Sequence, residues 1–464
     1  MALSPARKLA FKVVRRVRVH DSFAPEAMQS ALASNKISPR DKAFATRLAY
    51  GTIATRGTLD ELVATELSKP EATPEDLKDA LAIAAYELFF EGTESYVVVN
   101  QGVELARFAT NSKTYAGLSN AVLRRLTEKK DSLFPGGDVD TDVAAAARKN
   151  GHPLWLAELF TSQYGTKVAN QVMAVNNEPA PLYVTHLPFL DSEKRSLTVL
   201  DKAGINYEHA GIEGAYLIAD RAAFWALPTD QRASFTAIDL AAQQVVALCS
   251  AKPDQHILEV GSGRGTKSLA LAAAARRQGG PANIVGVDLH DFKTRVAAKT
   301  AQEQGVHELR YLTLDVTKLN AIDRMKAAGI DPQFDTVLVD TPCSGLGTLR
   351  RAVDKRWKLT TDDITELAKL GARMLTWSAQ LVKPGGTLLF ATCTISHEEN
   401  QAVIETFLGS PEGTDFCLEA LKQSELAPAF AEAVAPEGYL TALPKSNGPD
   451  GHFAAVLRAP KSRS

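Results

Sequence analysis

From Asp254 onward the chain alternates short aliphatic, β-branched runs with longer amphipathic stretches, and this restricts the fold more than any single motif. Runs at His256–Val260, Asn283–Asp288, 309–315, Phe334–Asp340 and 386–393 read as strands, with helical stretches such as 268–278 and 361–382 between them. A strand–helix–strand connection within one sheet leaves its strands parallel. The expectation is an α/β domain with a mostly parallel sheet. The strands close on polar or reactive residues: Glu259, Asp288, Asp315, Asp340 and Cys393. Parallel strands gather their carboxyl ends on one edge, so these residues should border one crevice.

At 464 residues the chain is long enough for two to four domains. The four cysteines, Cys249, Cys343, Cys393 and Cys417, are scattered, with neither disulfide-framework density nor C-x-x-C metal spacing. No apolar run reaches membrane-spanning length, and the first twenty residues are basic rather than built as a signal peptide. A soluble, cytoplasmic protein, monomeric and without metal or membrane partner, is expected. The net charge of −2 does not announce a nucleic-acid binder, but the charge is uneven. Residues 1–130 carry 19 Lys and Arg against 15 Asp and Glu. Arg7, Lys8, Lys12, Arg15, Arg16 and Arg18 cluster without an acid, as a solvated helix face or an RNA-contacting one.

Residues 1–130 read as helices alone. Ser4-Pro5, Ser38-Pro39 and Thr73-Pro74 are start signals, each ahead of apolar residues at helical spacing. Pro135-Gly136-Gly137 marks a linker across 131–150. A small α+β adaptor follows over 151–235, and the α/β region fills 236–464.

Two stretches carry chemistry. Gly261-Ser262-Gly263-Arg264-Gly265-Thr266-Lys267 joins the first strand of the α/β region to a helix. There the backbone can approach a ligand, and the helix offers free N–H groups. A dinucleotide fingerprint would need glycine where Thr266 stands, and an acid about twenty residues on rather than at Asp288. The E-x-G-x-G-x-G spacing resembles motif I of S-adenosylmethionine-dependent methyltransferases. Asp288 can accept hydrogen bonds from ribose hydroxyls, and Asp315 can meet an adenine; either could instead cap its following helix. In the second stretch, Asp340-Thr341-Pro342-Cys343-Ser344-Gly345 breaks from a buried strand. Cys343 and Cys393 both fall where a strand becomes a loop, and a buried cysteine is most often inert packing. Two thiols and an acid at one crevice suggest covalent chemistry on an electrophilic ring.

Taken together, Asp340–Arg351 (DTPCSGLGTLRR), Trp357, 382–400 (VKPGGTLLFATCTISHEEN) and Leu443-Pro444 with Gly448, Asp450, Gly451 and Phe453 resemble the Sun/RsmB-type family of RNA cytosine-C5 methyltransferases. Pro39-Arg40-Asp41-Lys42, Leu48-Ala49-Tyr50-Gly51 and Gly117–Arg124 resemble the NusB-type helical domain of its bacterial branch. The resemblance implies a Rossmann-like class I methyltransferase domain behind an all-α NusB-like bundle, with S-adenosylmethionine as cofactor and RNA, most readily 16S ribosomal RNA, as substrate. It implies Cys393 as nucleophile, Cys343 in product release and Asp340 in orienting the base. Gly261, Ser262, Gly263, Arg264, Gly265, Thr266, Lys267, Asp288, Asp315 and Asp340 would bind cofactor, and Arg350 and Arg351 would steady phosphates. Motif I departs from the family's C-A-A-P-G-G-K-T, and the family's R-V-N is here Thr185-His186-Leu187. These departures leave open a non-catalytic RNA-binding or ribosome-assembly factor, or a family member acting on tRNA.

Overall fold

Helix Pro5–His20 starts where Ser4 accepts a hydrogen bond from the Arg7 N–H, and Pro39–Ala54 starts likewise at Ser38 with Asp41. At the third start signal the outcome differs. Helix Glu75–Phe89 has Pro74 at its N-cap, because the Thr73 hydroxyl turns back to donate to the Lys69 carbonyl. The computed structural model describes residues 2–35 and 37–461. It divides into two units, Met1–Glu178 with Leu349–Leu359, and Pro179–Thr348 with Thr360–Ser464.

The first unit is helical. Its core joins Leu9, Val13, Leu48, Leu81, Leu88 and Leu123, and Val353 from the later segment enters the same cluster. The basic residues of its first helix are largely spent inside the unit. Arg7 is buried on Glu87, while Arg15 and Arg18 pair with Asp76, and Arg18 also with the fully buried Asp79. Residues 131–150 include helix Val143–Asn150, capped by Asp142, and helices Leu154–Tyr164 and Thr166–Val175 also belong to this unit.

Among the described residues Arg356 is the largest fully buried side chain, at 0% exposure. Its Nη1 donates to the carbonyls of Ala54 and Gly151 and to Asn177 Oδ1, and its Nη2 to the Asn176 carbonyl. Ala54, Gly151 and Asn176 terminate three helices. Each helix C-terminus carries roughly half a negative charge, so convergent helix ends replace the missing carboxylate. Burial pushes the guanidinium down to about 9, which still leaves it charged at neutral pH. Next to it, Trp357 Nε1 donates to the same Ala54 carbonyl at 2.8 Å. Arg350 lies in this segment and is 6% exposed, so the phosphate contact expected of it is not available; Arg351 is exposed.

The second unit opens with a small antiparallel sheet of order β2-β3-β1-β4. Its strands are β1 (Leu182–His186), β2 (Tyr207–His209), β3 (Ala215–Ile218) and β4 (Phe235–Ala237). The Thr185-His186-Leu187 triplet is buried there, with His186 packed edge-on against Phe235. The large sheet contains β5 (His256–Val260), β6 (Asn283–Asp288), β7 (Leu309–Thr313), β8 (Phe334–Asp340) and β9 (Val382–Thr392), paired in parallel in the order β7-β6-β5-β8-β9. Antiparallel strands extend it beyond β9: β12 (His452–Arg458) pairs with β9, and β10 (Cys417–Leu418) and β11 (Leu440–Ala442) pair with β12. Alternate residues feed two cores, with Ile257, Leu338 and Leu389 on one side and Leu258, Val337, Val339 and Phe390 on the other. Burial on both faces explains why these strands read as continuous aliphatic runs. The strand order reverses between β5 and β8, the point at which open α/β sheets bind ligands.

Candidate active site

The glycine loop sits at this switch point. Gly261 has φ +83, and a Cβ there would collide with the carbonyl oxygen of Asp340. Glycine therefore lets the loop after β5 close onto the end of β8. The N–H groups of Gly261 and Ser262 donate to the Val287 carbonyl, and Gly265, also at positive φ, caps helix Thr266–Arg277. Asp288, the last residue of β6, accepts from the Gly263 N–H at 3.1 Å and the His290 N–H at 2.8 Å. Arg264 is exposed and Thr266 partly buried. The Ser262 hydroxyl is buried with no hydrogen-bond partner among the described residues. An orphaned hydroxyl beside an anchored carboxylate and a helix N-terminus fits a polar, nucleoside-bearing ligand. Asp315 lies two residues past the end of β7, where its carboxylate accepts from the N–H and hydroxyl of Thr317. These bonds hold it below the ordinary carboxylate range.

The thiols follow the next two strands of the sheet, β8 and β9. Cys343 follows β8 by three residues and Cys393 follows β9 directly, and their sulfurs lie 3.4 Å apart. Both are partly buried. The neighbouring Cys393 sulfur, burial and the Glu399 carboxylate all push the Cys343 thiol well up, so Cys343 keeps its proton. Lys267, from the first turn of the helix after the glycine loop, donates to Asp340 Oδ2 at 2.6 Å. Burial alone would depress this ammonium, but Asp340, Glu259 and Cys393 together hold it above its ordinary value. A cation fixed beside Cys393 favours the thiolate form of that residue. The other two cysteines take no part: Cys249 is buried, with its thiol donating to the Val245 carbonyl, and Cys417 is exposed on β10.

Three features escaped the sequence reading. Motif I placed Lys267 among cofactor contacts, but the bond from its ammonium to Asp340 was not read from the sequence. His452 of β12 is buried, and burial with the nearby Lys267 lowers its imidazole to about 4, leaving it neutral. The third is the pair Glu399-Asn400, buried behind the thiols. The H-E-E-N motif contained both residues, but no spacing rule indicated that their partners are Ser344 and Thr392.

Glu259, penultimate in β5, is buried and accepts a hydrogen bond from Ser268. Burial pushes its carboxyl up from 4.5 to about 7, against the pull of Lys267 and Ser268. The folded state thus binds this proton more tightly than the unfolded chain does. Its stabilising contribution is complete below 4.5 and is lost as pH rises through about 7. Wild type should therefore lose stability relative to Glu259→Gln across that window, with a limiting slope of about 1.4 kcal/mol per pH unit. Urea titrations of both proteins at a series of pH values measure the slope, and parallel pH profiles would locate the proton elsewhere.

A Rossmann-like sheet, a glycine loop at its switch point and an anchored acid ending the next strand define a class I methyltransferase. The comparisons agree in both halves. Residues 246–458 match the model of the family described as 16S rRNA methyltransferase RsmB/F, and residues 4–128 match the NusB family. A Synechocystis protein described as "Probable ribosomal RNA small subunit methyltransferase B" is 30% identical over 98% of this chain and 99% of its own length. Ribosomal RNA small subunit methyltransferase B of Thermus thermophilus is 28% identical over 94% of each chain. Among solved structures, that of PH0851 superposes with a TM-score of 0.76 over 98% of this chain and 100% of its own, at 20% identity, a likeness of fold. The chain belongs to the RsmB/F methyltransferase family, with an N-terminal NusB domain, and its cofactor is S-adenosylmethionine.

Proposed function

We propose that this protein methylates carbon 5 of a cytosine in 16S ribosomal RNA through a covalent adduct between Cys393 and carbon 6. The observation that carries the reading is the pair of sulfurs 3.4 Å apart at neighbouring strand ends, beside the Lys267–Asp340 ion pair. The small-subunit assignment is supported by the family model and by the names of the full-length relatives.

Cytosine carbon 5 is a poor nucleophile. Addition of the Cys393 thiolate to carbon 6 breaks the ring double bond and leaves an enamine whose carbon 5 attacks an electrophile. Lys267 favours the thiolate, and the Asp340 carboxylate accepts from the amino edge of the base and so orients the ring. The glycine loop, Ser262 and Asp288 would hold S-adenosylmethionine, whose sulfonium supplies the methyl group. Elimination of the carbon-5 proton and of the Cys393 sulfur then restores the double bond. Cys343, still protonated, can donate its S–H to the departing Cys393 sulfur, and the Cys343 thiolate so formed takes the carbon-5 proton, so that both thiols are restored and Cys343 has a role in release. The target base must leave its stack to reach a crevice of this kind, so a loop or single-stranded stretch of RNA is expected. We assign the NusB-type domain to RNA engagement and the unit bearing the large sheet to the chemistry.

Incubating the protein with methyl-labelled S-adenosylmethionine and small-subunit RNA from cells lacking the protein should place label on carbon 5 of one cytosine, identified by nuclease mapping and mass spectrometry. Label on another atom, or labelling of transfer RNA alone, would overturn the corresponding part of the reading. Cofactor binding without any transfer would favour a non-catalytic factor.

A further inference from the structure

The two reactive thiols sit on loops that leave different strands, yet their sulfurs are held in contact. The groups that join the loops lie one layer below. Glu399 is 2% exposed, and no cation pairs with it among the described residues. Its Oε1 accepts from the Ser344 N–H at 2.7 Å. Its Oε2 accepts from the Ser344 hydroxyl at 2.5 Å and the Thr394 hydroxyl at 3.3 Å. Ser344 follows Cys343 and Thr394 follows Cys393, and the two hydroxyls are also 2.7 Å from each other. Asn400 completes the arrangement on the Cys393 side, accepting from the Thr392 hydroxyl at 2.6 Å and donating to the Thr394 carbonyl at 3.1 Å. A further tie runs from the Gly347 N–H to the Cys393 carbonyl at 3.1 Å.

A carboxylate buried without a cation is costly, and it persists only where its lone pairs are filled by well-aimed donors. Here the donors are the Ser344 N–H and the Ser344 and Thr394 hydroxyls, all from the residues that follow the two cysteines. We propose that Glu399 is a positioning residue for the two-thiol centre, tying Ser344 to Thr394 and thereby setting the separation and facing of Cys343 and Cys393. The inference rests on the reading that both thiols serve one covalent reaction, with Cys343 assisting departure of Cys393. It adds that their cooperation is built by a side chain that touches neither substrate nor cofactor. The carboxylate also acts on Cys343 by charge, adding to the larger effects of the Cys393 sulfur and of burial that push this thiol up.

The test uses the full-length protein with Glu399→Ala, Glu399→Gln and, as a milder change, Ser344→Ala, each checked for folding by thermal melting. Thiol proximity is read without RNA: diamide takes two electrons and two protons from the thiols, becomes the hydrazine, and leaves a Cys343–Cys393 disulfide that peptide mapping quantifies. Because disulfide formation demands close approach of the sulfurs, Glu399→Ala should slow this oxidation by about tenfold or more. Its kcat for RNA methylation should fall by about 100-fold, the scale of an ångström-sized misplacement, with the KM for S-adenosylmethionine within about twofold of wild type. Glu399→Gln keeps the shape and loses the charge, so it should retain more cross-linking than Glu399→Ala and move the alkylation of Cys343 by iodoacetamide to lower pH. Ser344→Ala removes one donor and should fall between wild type and Glu399→Ala. Wild-type cross-linking rates and kcat in a folded Glu399→Ala protein would overturn the proposal. If Glu399→Ala does not fold, wild-type cross-linking and kcat in both Glu399→Gln and Ser344→Ala would do so. If wild type methylates no RNA, the cross-linking rates still decide whether Glu399 joins the loops, so the two failures remain distinct.

Discussion

Replacing Cys393 with alanine should abolish methyl transfer, whereas replacing Cys343 with alanine should leave the protein covalently attached to RNA. Each substitution removes one of two sulfurs that lie 3.4 Å apart, so a difference in outcome reports role rather than location. Cys393 lies within the electrostatic reach of the Lys267 ammonium, a cation of the sign that favours a thiolate. Cys343 is held protonated by its neighbour and by burial, which makes it a poor nucleophile but a usable donor to a leaving sulfur. Loss of a nucleophile costs on the order of 10^4-fold or more in kcat, so Cys393→Ala should show no turnover above background in a labelled-methyl assay. Cys343→Ala should migrate as a protein–RNA complex on denaturing gels, stable to heat and detergent and cleared by nuclease. Reversed outcomes would assign attack to Cys343. Full activity in Cys393→Ala would remove the covalent route altogether.

Replacing Arg356 with alanine should destabilise the helical unit by on the order of 3 kcal/mol, because it strands several buried carbonyls at once. The guanidinium is fully buried among the ends of helices Pro39–Ala54, Val143–Asn150 and Thr166–Val175, and its charge offsets their converging dipoles. Arg356→Lys should recover only part of the loss, since an ammonium lacks the planar fork that reaches several acceptors. Hydrogen exchange followed by mass spectrometry gives a local readout: amides in the last turns of those helices should exchange faster in Arg356→Ala. Protection in β5, β8 and β9 should be unchanged. Unaltered exchange at the helix ends would mean that Trp357 and Val353 anchor the segment without the charge.

Much of the site was legible because its signals are local. A run such as Phe334–Asp340, buried along nearly its whole length, carries its own evidence of being an interior strand. Its successor residues then fall at the sheet edge wherever the sheet is parallel. The glycines of motif I and the thiols of Cys343 and Cys393 follow the neighbouring strands β5, β8 and β9, so strand order puts them on one edge of the sheet. Asp315 falls outside its strand: β7 stops at Thr313, because the Asp315 side chain turns its own loop on Thr317.

Element type, strand direction and the identity of the strand-end residues thus follow from periodicities only a few residues long, which any stretch of chain expresses alone. Pairings do not. Lys267 finds Asp340 across 73 residues, Ser344 finds Glu399 across 55, and Arg356 reaches Ala54 across 302. The arginines of the first helix read equally well as an RNA-contacting face until Glu87, Asp76 and Asp79 are brought beside three of them. A charged or hydroxyl side chain satisfies itself with whichever partner packing delivers, and the free energy of that choice depends on burial and geometry that exist only in the folded molecule.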